Sequence, residues 1–467
     1  MPREADLVVI GGGPGGYVCA IRAAQLGLRT VLVERDQLGG ICVAYGCIPS
    51  KALISMTKLY EKAKEGASFG IVADGIRVDL PALQKWKQGV VSTLEKGVAT
   101  LCRGNKVEVI EGTAEVIDAK RVKVMTSSGT EEVVTKNLVI ATGSRAISLP
   151  GLEFDGKLVL SSTEALALEE VPESILVVGG GYIGLEICGV YQKLGSKVTI
   201  VELTDQLLPG TEPDLVRLPQ RNLEKRGAKI LLKSKVLSLE RKGDRVKALV
   251  STPSGEVAVD ASVALVSVGR EPLTAEMNLG GIGVKTDSKG YIVTDERMKT
   301  SAEGVYAIGD VRGQPLLAHK AMKEGAVAAE VIAGLPSAAD WKTVPWAIFT
   351  DPEIAGVGLT EKVAVEAGLE VKRSRFSFGA LGRALASGET EGFVRIVSDA
   401  KTGLVLGVQM VGPEASNLIS EAALAIEMGA TVEDLALTIH PHPTLPEAMM
   451  EAAEVAAGRP IHQMKGL

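Results

Sequence analysis

A chain of 467 residues is longer than one hydrophobic core usually serves, so three or four structural units are expected. Hydrophobic residues make up 46%, glycines number 53 and aromatics only 3%, which suits close-packed α/β units with many tight turns and argues against an aromatic-rich binding surface. A net charge of −6 with both signs mixed argues against a nucleic-acid or anionic-membrane partner, and five cysteines are too few for a secreted disulfide framework.

The chain opens MPREADLVVIGGG, with no basic stretch leading into an apolar one, and no later apolar run of about eighteen residues is expected to span a bilayer. A soluble, cytoplasmic protein is expected. Asp6 to Ile10 reads as a strand, Gly11, Gly13 and Gly16 follow, a helix runs to about Leu26, and the strand Thr30 to Val33 ends on Glu34. Strand, glycines, helix, strand and acid together make the dinucleotide fingerprint: glycines admit the tight turn and a close pyrophosphate, the helix start offers donors, and the acid meets a ribose hydroxyl.

Gly39 to Lys51 reads GGICVAYGCIPSK, two cysteines five positions apart with a lysine four beyond the second. In a regular helix such a pair lies ~8.6 Å apart at Cα, out of reach of a disulfide. Cys42 and Cys47 can therefore pair only if the segment bends, and Gly46 and Pro49 are residue types that permit it. Two buried, inert thiols are the plain alternative, and spacing alone does not separate the two.

Asn137 to Thr142 forms another strand closing in ATGS, and Arg145 to Gly151 (RAISLPG) reads as a linker. The fingerprint then returns: strand Ile175 to Val178, Gly179, Gly181 and Gly184, a helix to about Leu194, and Val198 to Val201 leading to Glu202. From first glycine to acid the spacing is 23 residues in both copies. A carboxylate at Glu202 accepts from an unmodified ribose and repels a 2′-phosphate, so NAD is favoured over NADP. Val263 to Val268 ends in GREP, and Gly304 to Asp310 reads GVYAIGD, a strand delivering an aspartate at its carboxyl end.

From about Pro345 the texture changes. Phe393 to Val397 and Leu404 to Val411 alternate around a hairpin turn at Asp399 to Gly403, and Ser416 to Met428 has helical spacing. His440, Pro441, His442, Pro443 and Thr444 follow, with Glu447 five beyond His442. Thr444 and Glu447 spell a capping box for a helix starting near Leu445, which competes with a catalytic role for Glu447. With four histidines and no further ligand cluster, no metal site is expected.

These stretches together resemble the flavoprotein disulfide reductases over nearly the whole chain. The motifs are GGGPGGY at Gly11, GGICVAYGCIPSK at Gly39, ATGS at Ala141, GGGYIGLE at Gly179, GVYAIGD at Gly304, LAHKA at Leu317, FTDPEIAGVG at Phe349 and HPHPTLPE at His440, and LAHKA beside HPT is similar to the lipoamide branch. The resemblance implies an α/β chain of two Rossmann-like domains and a C-terminal α+β dimerisation domain. Residues 1–148 would bind FAD, 149–272 would bind NAD, 273–344 would complete the FAD site, and 345–467 would form the interface.

It further implies FAD at Gly11, Gly13, Gly16, Glu34, Lys51, Gly143, Asp310 and Ala318, and NAD at Gly179, Gly181, Gly184, Glu202 and Gly269. Cys42 would exchange with substrate sulfur and Cys47 would face the flavin, with Lys51 and Glu186 paired near it. His442, oriented by Glu447, would act as acid and base on the disulfide of the other subunit, which makes a homodimer obligatory. The implied reaction is oxidation of protein-bound dihydrolipoamide by NAD, with lipoyl domains and the acyltransferase component of a 2-oxo acid dehydrogenase complex as partners. Ile41, Val43, Ala44 and Tyr45 depart from the usual residues around the first cysteine, and Phe349, Asp351 and Pro446 depart elsewhere. Another reductase of the superfamily, or a catalytically weak redox sensor, is the competing reading; the tail AAGRPIHQMKGL lacks the extra cysteine pair of some relatives.

Overall fold

The computed structural model describes residues 3–275 and 277–464, and the chain divides into two compact units. The first unit comprises Met1–Pro172, Gly243–Val246 and Val263–Asp340. Its main sheet runs Glu108–Glu111, Thr30–Glu34, Arg3–Ile10, Gly129–Ile140, Arg121–Thr126 and Thr113–Asp118, and Val305–Ala307 joins the end of Gly129–Ile140. Leu7, Val8, Val9, Leu32, Leu138, Val139 and Ile140 are all fully buried, because a parallel sheet covered on both faces reads as unbroken apolar runs rather than alternation.

Register places the motifs. Ile10 stands beside Ile140, and Ile140 beside Ala307, so Gly11, the ATGS turn and Asp310 all leave adjacent parallel strands at their carboxyl ends. Ligands of open α/β sheets sit at such ends. The helices Pro14–Gln25 and Ala318–Ile332 cross closely in this unit, and a Cβ on Gly325 would lie 2.4 Å from the Gly15 carbonyl oxygen. Only glycine allows that approach. Arg22 closes the crossing with bonds of 3.0 and 2.7 Å from Nε and Nη2 to Glu330 Oε1.

The stretch read as a linker is partly strand. Ser144–Ala146 pairs antiparallel with Arg270–Pro272, and Arg145 Nε bonds Glu271 at 2.7 Å. Three residues are too few for periodicity to betray a strand, and its partner lies more than a hundred residues away.

The second unit comprises Glu173–Lys242, Lys247–Ser262 and Trp341–Leu467. Lys229–Leu231, Lys197–Val201 and Ser174–Val178 lie parallel in it, with the helix Tyr182–Leu194 following the last. The expected strand–helix–strand repeat is therefore present in both units. A five-stranded antiparallel sheet orders Trp346–Ile348, Glu353–Gly358, Val405–Gly412, Phe393–Asp399 and Val371–Ser377. The hairpin forms where expected, with Phe393 opposite Val411, and Asp399 Oδ1 accepts the Lys401 and Thr402 amides to close its turn. Helices Ala415–Met428, Val432–Leu437 and Glu447–Ala456 share a core with this sheet around Ile396, Val408, Met410, Ala422 and Ala452.

By length and composition alone, the helical stretch Gly40–Phe69 could cross a membrane, contrary to the expectation that no segment would. It is broken between helices Gly40–Ala44 and Cys47–Glu65, and it carries Lys51 and Lys58. The break is where the cysteines lie.

Candidate active site

Both fingerprints close in the same way. In the first unit Glu34 Oε2 accepts the Gly12 amide at 2.6 Å; in the second Glu202 Oε2 accepts the Gly180 amide at 2.6 Å. Each acid thereby pins the glycine turn. Glu34 Oε1 also accepts the Asp36 amide at 2.9 Å, whereas Glu202 Oε1 accepts both the amide and the hydroxyl of Thr204, at 2.8 and 2.9 Å.

The helices that follow, Pro14–Gln25 and Tyr182–Leu194, begin at Gly13 and Gly181 with no side chain capping either start, and nothing lies within 4 Å of where a Cβ would stand on either glycine. Helix starts without a capping side chain, and with room beside their first glycine, fit a pyrophosphate, so the residues present suit two dinucleotides. Gly16 is needed for another reason: its Cβ would fall 1.8 Å from the Gly11 carbonyl oxygen.

The redox segment is bent as pairing demands. The helix Gly40–Ala44 ends at Tyr45 (φ −134°, ψ 0°), Gly46 turns at φ −133°, ψ −99°, and a new helix starts at Cys47. Pro49 sits in the first turn of that helix, where its missing N–H costs nothing. Cys42 is half-buried and Cys47 exposed. The Cys42 thiol is hydrogen-bonded with Cys47, and this contact, ahead of burial, pushes the Cys42 thiol far up; Lys51 pulls it down and Asp310 pushes it further. The four groups are thus close enough to act on one another, with Lys51 one helical turn beyond Cys47.

Asp310 is held from beneath. Ser144 Oγ donates to Asp310 Oδ2 at 2.5 Å and accepts from Arg270 Nε at 2.8 Å, while Arg270 Nη2 bonds the Ser144 carbonyl at 2.7 Å. Next to it, the fully buried Glu324 accepts the Gly309 amide at 2.7 Å and pairs with Arg312 and, at 3.1 Å, with Lys320. Sequence reading missed Ser144, Arg270 and Glu324. A signal for Glu324 existed, since Lys320 precedes it by four residues on the same helix.

Gly143, in the ATGS turn, has φ +76°, and Ala318 opens the helix Ala318–Ile332. Gly269, assigned by resemblance to the second dinucleotide, lies in the first unit, where its carbonyl accepts the Ile147 amide at 3.1 Å. Glu186, in the second unit, is 5% exposed and accepts the Phe349 amide at 3.0 Å.

In the C-terminal turn, His442 Nδ1 and Glu447 Oε1 are 2.8 Å apart, and Glu447 Oε2 accepts the Thr444 amide at 2.7 Å. The expected capping box is only half made: Thr444 Oγ1 donates instead to the Pro441 carbonyl at 2.7 Å, and the helix starts at Glu447 rather than Leu445. Burial works to raise the Glu447 carboxyl, but the Thr444 amide and His442 outweigh it and hold it below the ordinary carboxylate range. A carboxylate opposite Nδ1 assigns the ring proton there and leaves the Nε2 lone pair available. The His442 side chain is 77% exposed. His440, by contrast, is enclosed, with Nδ1 2.8 Å from the Thr438 carbonyl and Nε2 2.8 Å from Glu421.

A family model described as pyridine nucleotide-disulphide oxidoreductase matches residues 5–325, and one for the dimerisation domain of the same family matches residues 344–453. The chain belongs to the pyridine nucleotide-disulphide oxidoreductase family. It is similar to dihydrolipoyl dehydrogenase 2 of Haloarcula marismortui, 49% identical over 462 residues and 98% of each chain. The dihydrolipoyl dehydrogenase of Geobacillus stearothermophilus is 46% identical over 459 residues, 98% of this chain and 97% of that one. Among solved structures, LpdA from Mycobacterium tuberculosis matches with a TM-score of 0.90 at 30% identity, covering 97% of this chain and 99% of that one. The HOCl-induced flavoprotein disulfide reductase RclA from Escherichia coli matches at 0.85 and 26% identity, covering 96% of this chain and 99% of that one. The fold class and family expected from the motifs are borne out, and with them an oxidoreductase that uses FAD and NAD.

Proposed function

We propose that this chain is a dihydrolipoyl dehydrogenase whose site is the Cys42–Cys47 pair served by His442, with NAD as the final acceptor. One observation carries the redox reading: the helix breaks between the two cysteines and sets the Cys42 thiol against Cys47. The substrate class is supported by relatives of that name, similar over 98% of the chain.

His442 Nε2 takes a proton from a dihydrolipoamide thiol while Glu447 holds the imidazolium that forms. The resulting thiolate attacks Cys42 Sγ, the Cys42–Cys47 bond breaks, and Cys47 departs as a thiolate. The second substrate thiol then displaces Cys42 from the mixed disulfide, closing the lipoamide ring and leaving the cysteines reduced. FAD, held by the residues named below, would supply the two-electron chemistry that links the reduced cysteine pair to NAD. Lys51 lies beside the cysteines as the cation of this region. Gly11, Gly13, Gly16, Glu34, Gly143, Asp310 and Ala318 would hold FAD; Gly179, Gly181, Gly184 and Glu202 would hold NAD, with Gly269 and Glu186 serving the nicotinamide and flavin ends. The enclosed Glu202 favours NAD, since a 2′-phosphate would meet a buried carboxylate already pinned by three donors.

An exposed His442 suits a partner subunit's disulfide, with 345–467 as the interface of a homodimer, 1–148 and 273–344 as the FAD domains and 149–272 as the NAD domain. The partners of this reading are lipoyl domains, with the acyltransferase component of a 2-oxo acid dehydrogenase complex as their carrier, in the cytoplasm. Steady-state oxidation of dihydrolipoamide by NAD tests the reading. Cys47→Ser should abolish it, and His442→Gln should lower kcat/KM by several orders of magnitude, within the roughly 10²–10⁴ that general acid–base catalysis supplies, with FAD retained. Normal turnover in Cys47→Ser overturns the assignment, and a near-normal rate in His442→Gln makes that residue part of a turn.

A further inference from the structure

The aspartate beyond the strand Val305–Ala307 is fixed twice, once through its backbone and once through its side chain. It lies in the turn Gly309–Arg312, where the Gly309 amide donates to the fully buried Glu324 at 2.7 Å and the Gly313 amide to the Asp310 carbonyl at 3.0 Å. With the backbone set, only rotation of the carboxylate is left. Ser144 removes that freedom, donating from Oγ to Asp310 Oδ2 at 2.5 Å.

The direction of that bond is decided one residue further back. A guanidinium has donors and no acceptor, so Arg270 Nε, 2.8 Å from Ser144 Oγ, can only donate to it, and the single hydroxyl proton is left for Asp310. Arg270 Nη2 grips the same residue by its carbonyl at 2.7 Å, and Ser144 is 1% exposed, so the hydroxyl is shielded from solvent. Oδ2 is thereby occupied, and among the described residues no donor reaches Oδ1, which is the oxygen left to accept from a ligand.

Strand order identifies the ligand group. Thr30–Glu34, Arg3–Ile10, Gly129–Ile140 and Val305–Ala307 are parallel neighbours in that order. Glu34, the Gly11 turn, the ATGS turn and Asp310 therefore form a row along one edge, ~14 Å from first strand to last at about 4.8 Å per strand. With the adenosine ribose at Glu34 and the pyrophosphate at the start of the helix Pro14–Gln25, the next hydroxyl-bearing part of FAD toward Asp310 is its ribityl chain.

Resting on the FAD reading above, we propose that Arg270 and Ser144 are positioning residues for flavin binding: Arg270 fixes the direction of the Ser144 hydroxyl, and that hydroxyl holds Asp310 with Oδ1 turned to accept from a ribityl hydroxyl. Both act through Asp310 and not on the reacting atoms.

The test is the FAD dissociation constant of the full-length chain in wild type, Ser144→Ala, Arg270→Gln and the double variant, read by flavin fluorescence, with thermal melting of each as the fold control. Ser144→Ala should bind FAD about tenfold more weakly, the size of a hydrogen bond to a charged group. Arg270→Gln should show part of that loss, and the double variant no more than Ser144→Ala, because Arg270 acts only through Ser144. The same titration with FAD analogues that each lack one ribityl hydroxyl separates positioning from packing. For the analogue lacking the hydroxyl that meets Asp310, wild type itself should lose affinity and Ser144→Ala should lose nothing further. A full tenfold loss in Ser144→Ala with every analogue, or additive losses in the double variant, assigns both residues to packing of their strand pair and overturns the proposal. Unchanged FAD binding in Ser144→Ala overturns it as well. A wild-type chain that binds no FAD overturns instead the cofactor reading on which the proposal rests.

Discussion

The two fingerprints share a 23-residue spacing and an acid-to-glycine bond of 2.6 Å, yet they finish differently. Glu202 is 6% exposed and turns its second oxygen to Thr204, which closes the loop upon itself. Glu34 is half-buried and turns its second oxygen to Asp36, which reaches onward to Tyr45 between the cysteines. The same motif therefore serves as a self-contained pocket in one unit and as an anchor for the redox segment in the other. One pattern fixes the turn; the residue two places after the acid decides what the turn is connected to.

The largest break of this comparison comes from the third glycine of the first copy. In Gly16→Ala the new methyl would meet the Gly11 carbonyl at 1.8 Å, so the turn must move, and FAD retention should be lost while NAD still binds the second unit. Measured flavin content near wild type would contradict it. Next in size is Glu202→Gln, which weakens an acceptor of three donors in a buried place; kcat/KM for NAD should fall about tenfold, with FAD content and the cysteine couple untouched. Equal losses at both cofactors would show that the second pocket is not self-contained.

The smallest effect lies at the base of each repeat. Asp6 bonds Lys136 and accepts the Arg29 amide, and the Lys136 bond leads the causes that pull its carboxyl down to about 2. Because the folded value is depressed, its contribution is fully present above the ordinary 3.8 and is lost as the pH falls through about 2. Asp6→Asn should cost under about 1 kcal/mol at neutral pH, the difference from wild type shrinking across that acid window in denaturant melts. The corresponding pair Lys197 and Glu173, 80% and 63% exposed, should show no measurable effect when broken.

Much of this was legible in the chain. Unbroken apolar runs such as Leu7–Ile10 and Ile175–Val178, followed at once by glycines, revealed the parallel strands and both turns, because a sheet buried on both faces and a tight strand-to-helix turn each leave a local mark. Reach alone made a bend the condition for pairing Cys42 with Cys47, and Gly46 marked where the chain permits one. What local pattern could not carry were partners far along the chain. The ribbon of Ser144–Ala146 with Arg270–Pro272, the Ser144–Arg270 support of Asp310, and the Phe349 amide on Glu186 join residues more than a hundred positions apart. Thr444 was misread for the opposite reason: its local pattern matched a capping box, but its hydroxyl found the Pro441 carbonyl and left the Glu447 carboxylate to His442.

The most direct measurement is an absorbance spectrum of the purified protein, followed by anaerobic titration with dihydrolipoamide and then NAD. A working relay requires an oxidised flavin band at the start, a long-wavelength band on reduction that depends on Cys47, and its discharge by NAD with formation of NADH. A flavin that stays oxidised with dihydrolipoamide would leave the fold and family intact, contradict the proposed substrate, and turn attention to other disulfides or to a sensor role.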